Sequence, residues 1–271
     1  MFDFHTHTDC SHDCKRSIDK LCEIAIQNKI EGFAVTDHAE TWYYVEHYPV
    51  TMITRSIEAV KRAREKYNIK IFQGIELGSP YYKPDISKEL MELCDYDVVL
   101  NSVHCAAYGG IAESFAAIDF SNLSLDIIHG LLNEYFTELE YTAQNGDFDV
   151  LCHITYPFRY INVRYSRNID VSLYEKRILK VFEILIERKK SLEINTASMG
   201  GKHSAAFDCP CPDEYYIKKY YDMGGRIVTL GSDTHTDTIA NGFDTVIKLL
   251  KSIGFDKITY FEKRKMFFEQ I

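Results

Sequence analysis

The sequence predicts an α/β fold, closed as a single distorted (β/α)7 barrel. Three observations predict it. Short β-rich runs alternate with longer helical patterns along the whole chain. Seven such units occur with no break in composition between them. Histidines and carboxylates recur where the β-rich runs end. The alternation implies βαβ units and a parallel sheet. Seven units in 271 residues favour one barrel over two domains, so residues 1–271 are expected to form one domain.

The strand runs cover residues 2–7, 32–37, 69–77, 96–104, 149–154, 191–196 and 226–231. Helical stretches between them cover residues 17–29, 53–67, 125–144, 173–190 and 213–223. In the first of these, Leu21, Ile24 and Ala25 recur at three- and four-residue spacing. Gly224 and Gly225 stop the last helix before the following strand. Residues 42–49, rich in aromatics, and residues 202–212, with Cys, Pro and His, both follow strand ends. Barrels of this kind place their active-site loops there. The charged and aromatic residues 258–271 predict a packed terminal helix.

Composition narrows the function classes. Hydrophobic residues make up 46% and charged residues 26%, which are globular values and exclude wholesale disorder. Lys and Arg number 31 against 40 Asp and Glu, a net charge of −9 with no basic block. That balance argues against nucleic acid bound through a broad basic face, yet leaves room for a small phosphorylated substrate. No apolar run approaches the roughly 20 residues of a membrane span, and no secretory signal is visible at the start, so a cytoplasmic location is expected. The eight cysteines form no zinc-ribbon pattern and read as reduced thiols, Cys209 and Cys211 included.

The chemistry lies at the strand ends. His5 and His7 close the first run two residues apart, so both imidazoles share a face and can reach one metal. Asp37 and His38 end the second run, Glu76 the third and His104 the fourth; His153 sits on the fifth. Asp233 and His235 follow the seventh with the same two-residue spacing. Six of ten histidines therefore meet three carboxylates around one barrel mouth. A lone strand-end histidine is more often a satisfied core residue, but six buried without partners would cost several kcal/mol. Imidazole and carboxylate together suit Zn²⁺, Mn²⁺ or Fe²⁺, and Glu76 can bridge two ions. Two bridged metals lower the pKa of a shared water towards ~7, which makes a Ser or Cys nucleophile unnecessary.

These residues resemble the polymerase and histidinol phosphatase (PHP) family. The matching pieces are His5-Thr6-His7-Thr8 with Ser11, Thr36-Asp37-His38, Gly74-Ile75-Glu76, Ser102-Val103-His104, Cys152-His153 and Gly231-Ser232-Asp233-Thr234-His235. The resemblance implies a distorted, TIM-like (β/α)7 barrel holding three divalent metals. It implies His5, His7, Glu76 and Asp233 at the first, and Glu76, His104 and His153 at the second. The third takes His38, His235 and Asp13, or Asp13's neighbour His12. Asp37 is expected to orient His38. Glu76, Asp233 and His235 are expected to carry catalysis.

With Glu193-Ile194-Asn195-Thr196 on the sixth run, the resemblance further implies a phosphomonoesterase acting on L-histidinol phosphate in histidine biosynthesis, through attack by a metal-bridging hydroxide. Related phosphatases often continue Asn-Thr-Ala-Gly-Leu-Arg-Lys, whereas Ala197-Ser198-Met199-Gly200-Gly201-Lys202 follows here. Phosphate binding then falls to Arg159, Lys202 or His203. A bidentate Arg contact is geometrically the better anchor. The leaving group's proton would come from His12, His203 or a metal-bound water, and Tyr43, Tyr44 or Tyr156 would stack on the substrate imidazole. The same metals would also serve another nucleotide, sugar or diester phosphatase. An aminohydrolase is disfavoured because no Lys occupies a central strand end, and a non-catalytic metal module because no ligand position is broken.

Overall fold

The protein's structure, a computed structural model, describes residues 1–42, 48–199 and 209–271. Its strands and helices alternate as the periodicity requires. They are β1 (Phe2–Thr6), α1 (Ile18–Gln27), β2 (Gly32–Val35), β3 (His38–Glu40), α2 (Tyr48–Lys66), β4 (Lys70–Gly78), α3 (Pro84–Met91) and β5 (Val98–Ser102). There follow β6 (Cys105–Tyr108), β7 (Ile111–Ser114), α4 (Leu125–Asn145), β8 (Val150–Leu151), α5 (Tyr156–Phe158), α6 (Glu175–Arg188) and β9 (Ser191–Asn195). The chain ends with α7 (Glu214–Asp222), β10 (Val228–Gly231), α8 (Phe243–Ile253), β11 (Lys257–Glu262) and β12 (Lys265–Gln270).

The barrel runs β1-β2-β4-β5-β8-β9-β10, and every pairing in it is parallel. β3 also pairs with β4. Val35 faces Gln73 and His38 faces Glu76, the same offset, so β2 and β3 are one strand interrupted at Thr36 and Asp37. Seven strands in a nearly closed barrel confirm the expected fold class. The closing seam, between β1 and β10, carries only a bridge between Thr6 and Thr234.

Local chemistry explains the helices that matter for the site. Ser17 caps α1 by accepting from Lys20 N at 3.3 Å, and the helix buries Ile18, Leu21, Cys22, Ile24 and Ala25 against β2 and β4. Ser124 caps α4 and Asp213 caps α7 in the same way. α7 ends at Asp222 before Gly224, whose φ of 98° only glycine adopts freely. The largest core lies between the outer helices and the sheet, from Ile75 and Val99 through Leu131, Phe136 and Phe182 to Val246. No helix among the described residues is long and apolar enough to cross a membrane.

The end of the chain corrects one expectation. Residues 257–270 form an antiparallel hairpin, not a terminal helix, with Lys257 facing Gln270 and Glu262 facing Lys265. Lys263 and Arg264 make its two-residue turn with φ of 51° and 61°, the signs a type I′ turn needs. β3, α3, α8 and the β6–β7 hairpin are further elements that the hydrophobic periodicity had not marked.

Candidate metal centre

The mouth of the barrel gathers the residues that the strand ends promised. His5 and His7 leave the end of β1, His38 begins β3, Glu76 lies on β4, His104 follows β5, His153 follows β8 and Asp233 follows β10. His5, His7, Glu76 and His153 are fully buried. His153 and Asp233 sit just past their strands with φ of 24° and 49°, which swings their side chains inward over the barrel axis.

Three groups of ligand atoms stand out. In the first, His5 Nε2 lies 3.4 Å from Glu76 Oε2 and 3.6 Å from Asp233 Oδ1. His7 Nε2 lies 3.6 and 3.3 Å from the same two oxygens. In the second, His104 Nε2 and His153 Nε2 are 3.4 Å apart and lie 3.3 and 3.1 Å from Glu76 Oε1. In the third, His235 Nε2 is 3.3 Å from both His38 Nε2 and Asp13 Oδ1, and His38 Nε2 is 3.7 Å from that oxygen. Donors of a tetrahedral ion with bonds of about 2.0–2.1 Å stand about 3.3–3.4 Å apart. Separations in the three groups run from 3.1 to 3.7 Å, around that value; Glu76 Oε1 faces the second group, and Oε2 faces the first and also lies 2.6 Å from His38 Nδ1.

Partner accounting agrees with a cation at the centre. His5 Nε2 and His7 Nε2 are buried and have no hydrogen-bond partner among the described residues, while Glu76 Oε2 lies 2.6 Å from His38 Nδ1. The opposite ring nitrogens are engaged. His5 Nδ1 meets Glu193 Oε1 at 2.5 Å, and His104 Nδ1 meets Glu40 Oε1 at 2.6 Å. His7 Nδ1 meets Ser11 Oγ at 2.9 Å, and His235 Nδ1 donates to the Asp233 carbonyl at 2.9 Å. Such bonds turn the Nε2 lone pairs toward the carboxylates, which is the arrangement of metal-bound histidine.

The titration behaviour states the same demand for positive charge. Burial opposes ionisation of Glu76, but His38, His5 and His104 hold its carboxyl well below the usual carboxylate range. Burial likewise opposes Asp233, which His5 and His7 hold low. Burial disfavours the charged ring of His104, yet Glu40 and Glu76 push its pKa up to about 10. Burial and the neighbouring His235 and His38 keep His7 well below the usual imidazole value. Protons and metal ions compete for one set of negative charges.

The structure sorts the remaining expectations. Asp13, rather than His12, reaches both His38 and His235; His12 instead sets its ring 5.2 Å from that of His38. Asp37 reaches His38 through Ser11 and not directly: its carboxylate accepts from Thr8, from Ser56 and from Ser11 Oγ at 2.8 Å, and Ser11 Oγ in turn accepts from His38 N at 3.1 Å and meets His7 Nδ1. Arg159 is largely buried: Nη2 donates to Asn195 Oδ1 at 2.9 Å and Nη1 lies 3.8 Å from Asp233 Oδ2. Tyr156 is buried with its ring 5.0 Å from those of His104 and His153, so it is spent on the protein's own imidazoles. Lys202, His203, Tyr43 and Tyr44 lie outside the described residues.

Sequence reasoning missed Glu40 as a site residue and quoted Glu193 only as part of a motif. Glu193 accepts from His5 Nδ1, from His153 N at 2.8 Å and from Asn195 Nδ2 at 3.2 Å. The signal for Glu40 was its place two residues after His38, on the same strand face. Glycine accommodates both carboxylates. A Cβ on Gly78 would collide with the Glu40 carboxylate, and one on Gly231 with that of Glu193.

Comparison with known proteins follows this geometry. The PHP domain family model matches residues 3–197. The chain belongs to the PHP domain family. Among relatives, a protein of Thermotoga maritima named a probable histidinol-phosphatase is 30% identical over 264 residues, 94% of each chain. One of the same name from Clostridium acetobutylicum is 28% identical over 98% of each chain. In structure, this PHP chain resembles histidinol phosphate phosphatase of Lactococcus lactis, solved with zinc, L-histidinol and phosphate. The TM-score is 0.73, over 98% of both chains, at 22% identity. That likeness bears on the fold.

Proposed function

We propose that this PHP-domain protein, as one phosphoesterase domain over residues 1–271, hydrolyses L-histidinol phosphate to L-histidinol and phosphate in histidine biosynthesis. The observation that carries the catalytic part is the pair of unpartnered, buried nitrogens His5 Nε2 and His7 Nε2, each facing the Glu76 and Asp233 carboxylates at metal-ligand spacing. The names of the relatives support the substrate. Three divalent ions, zinc foremost and manganese or iron with the same donors, would be held by the three groups. His5, His7, Glu76 and Asp233 hold the first; Glu76, His104 and His153 the second; His38, His235 and Asp13 the third. When bound, such ions polarise phosphoryl oxygens and lower the pKa of a coordinated water towards ~7.

The chain's own residues do the rest. Glu76, Asp233 and His235 face the reacting phosphate as the catalytic ligands. Arg159, fixed by Asn195 and close to Asp233, is aimed to take a phosphate oxygen in a charged hydrogen bond. Glu193, Glu40 and Ser11 keep His5, His104 and His7 in single orientations, so little reorganisation accompanies the chemical step.

The test is phosphate release from L-histidinol phosphate by metal-loaded protein, beside a panel of nucleotide, sugar and diester phosphates and a chelated control. Preferred, chelator-sensitive release from histidinol phosphate is expected. Chelator-sensitive release from another ester alone would overturn the substrate and keep the phosphoesterase. Inactivity toward every ester, with metal bound, would overturn both.

A further inference from the structure

The barrel's seam carries ligand residues on both lips. His5 and His7 stand on one, Asp233 and His235 on the other. Few backbone bonds cross it: Asp233 N donates to His5 O at 2.7 Å, and His7 N to Thr234 O at 3.2 Å. Arg16, 5% exposed, spans the gap. Its Nη2 donates to the carbonyls of His7 at 2.8 Å and Thr234 at 3.1 Å. Its Nη1 donates to the carbonyls of Thr238 at 2.9 Å and Thr236. Cys14 adds its thiol, 3.5 Å from His7 O and 3.6 Å from His235 O, while Asp9 N donates to the Arg16 carbonyl at 2.7 Å.

The chemistry of this contact is unusual for a buried cation. Among the described residues, no carboxylate forms a hydrogen bond or ion pair with Arg16; backbone carbonyls take its hydrogen bonds, and Asp3, Asp37 and Asp237 act on its charge from farther off. Removing a guanidinium from water without a directly paired carboxylate is costly, and a planar fork offers the spread of donors that four carbonyls require. The carbonyls belong to the residues on either side of His235, to Thr238 and to His7 itself. The same short segment delivers Asp13, whose carboxylate meets His38 and His235. His5, His7 and Asp233 are held independently by Glu193, by Ser11 and by the seam's own backbone bonds. Among the described residues, His235 is held by the Asp233 carbonyl at Nδ1, by Asp13 at Nε2 and by the Cys14 thiol at its own carbonyl, so its support comes from the segment that carries Arg16.

We propose that Arg16 is a positioning residue for the group formed by His38, His235 and Asp13, setting the place of His235 and Asp13 by clasping both lips of the seam. The proposal rests on the metal-binding reading above. The experiment compares zinc stoichiometry and chelator-competition affinity in wild-type protein, R16K, R16Q and H235A, together with thermal melting of each metal-free protein. R16K and R16Q are expected to lose the equivalent that H235A loses, or to bind it about 10–100-fold more weakly. The other equivalents and the metal-free melt should stay as in wild type. Wild-type zinc binding in both Arg16 variants would overturn the proposal. So would loss of cooperative melting together with all the zinc, since Arg16 would then serve the fold at large. Wild-type protein that binds no zinc would defeat the metal reading, and the clasp with it.

Discussion

At the barrel's floor the strands contribute Phe2, Phe4 and Phe72; at its mouth two of the same strands, β1 and β4, contribute His5, His7 and Glu76. The floor is sealed by the β11–β12 hairpin. Phe2 and Phe72 meet edge to face at 5.5 Å, Phe4 and Phe72 lie 5.0 Å apart, and Tyr260 covers Phe2 at 4.8 Å. Both ends are buried to a similar degree. The floor is made of carbon and satisfies itself by packing. The mouth is made of nitrogen and oxygen, and several of its atoms find no partner among the described residues. Burial alone does not distinguish the two ends. Unspent donor and acceptor capacity does, and it marks the end whose chemistry suits a cation.

That contrast can be broken by substitution at either end. Glu76→Ala removes the carboxylate shared by two groups. Turnover should fall roughly 10³-fold or more, since the charge stabilisation at stake is several kcal/mol and each ~1.4 kcal/mol is tenfold. Steady-state rates and metal analysis check it, and unimpaired activity would refute the shared role. Phe4→Ala, one residue before His5, should cost about 3–5 kcal/mol of stability in denaturant melts while leaving metal content unchanged. A loss of metal in that variant would show that the two ends are not independent.

Finer probes sharpen the comparison. Arg159→Ala should raise KM for a phosphorylated substrate by roughly 10–100-fold, the equivalent of ~1.5–3 kcal/mol for a charged hydrogen bond. An unchanged KM would return Arg159 to a purely structural part. The smallest effect concerns pH. Burial disfavours the proton on His104, but Glu40 and Glu76 raise its pKa from 6.5 to about 10 in the metal-free fold. A raised imidazole pKa contributes stability that is complete below 6.5 and lost as pH climbs through about 10. Metal-free protein should therefore melt progressively lower across that window. The zinc-loaded protein should not follow it, because the ion takes the proton's place. A flat metal-free profile would sink this account. Phe4→Ala should shift the whole curve without changing its slope.

The mouth was more legible in the sequence than the floor. Its message is written in residue types that have few other reasons to recur at strand ends, and the two-residue spacings of His5 with His7 and Asp233 with His235 fix their shared faces. Glu40 escaped because its role is to hold an imidazole from another strand, a pairing that spacing along the chain does not encode. The reading of Asp37 was incomplete for the same reason: its effect passes through Ser11 to His7 as well as to His38. The terminal hairpin escaped because Lys263 and Arg264 occupy turn positions that usually signal themselves with Asn or Gly. The β6–β7 hairpin did carry such a signal in Gly109 and Gly110, whose φ values are 61° and 85°. Its strands, only four residues each, were too short to register as a period.

The left-handed backbones of His153 and Asp233 bear on how this enzyme could be improved. Each non-glycine residue held in that region costs of the order of 1–3 kcal/mol, and here both belong to the centre. Glycine at either position would relax the chain and delete a proposed ligand. A directed-evolution campaign scored on heat resistance alone would therefore be drawn to these two codons and would enrich sturdy, inactive barrels. Selection on catalysis would keep both residues and gain its robustness elsewhere, in surface loops and helix caps.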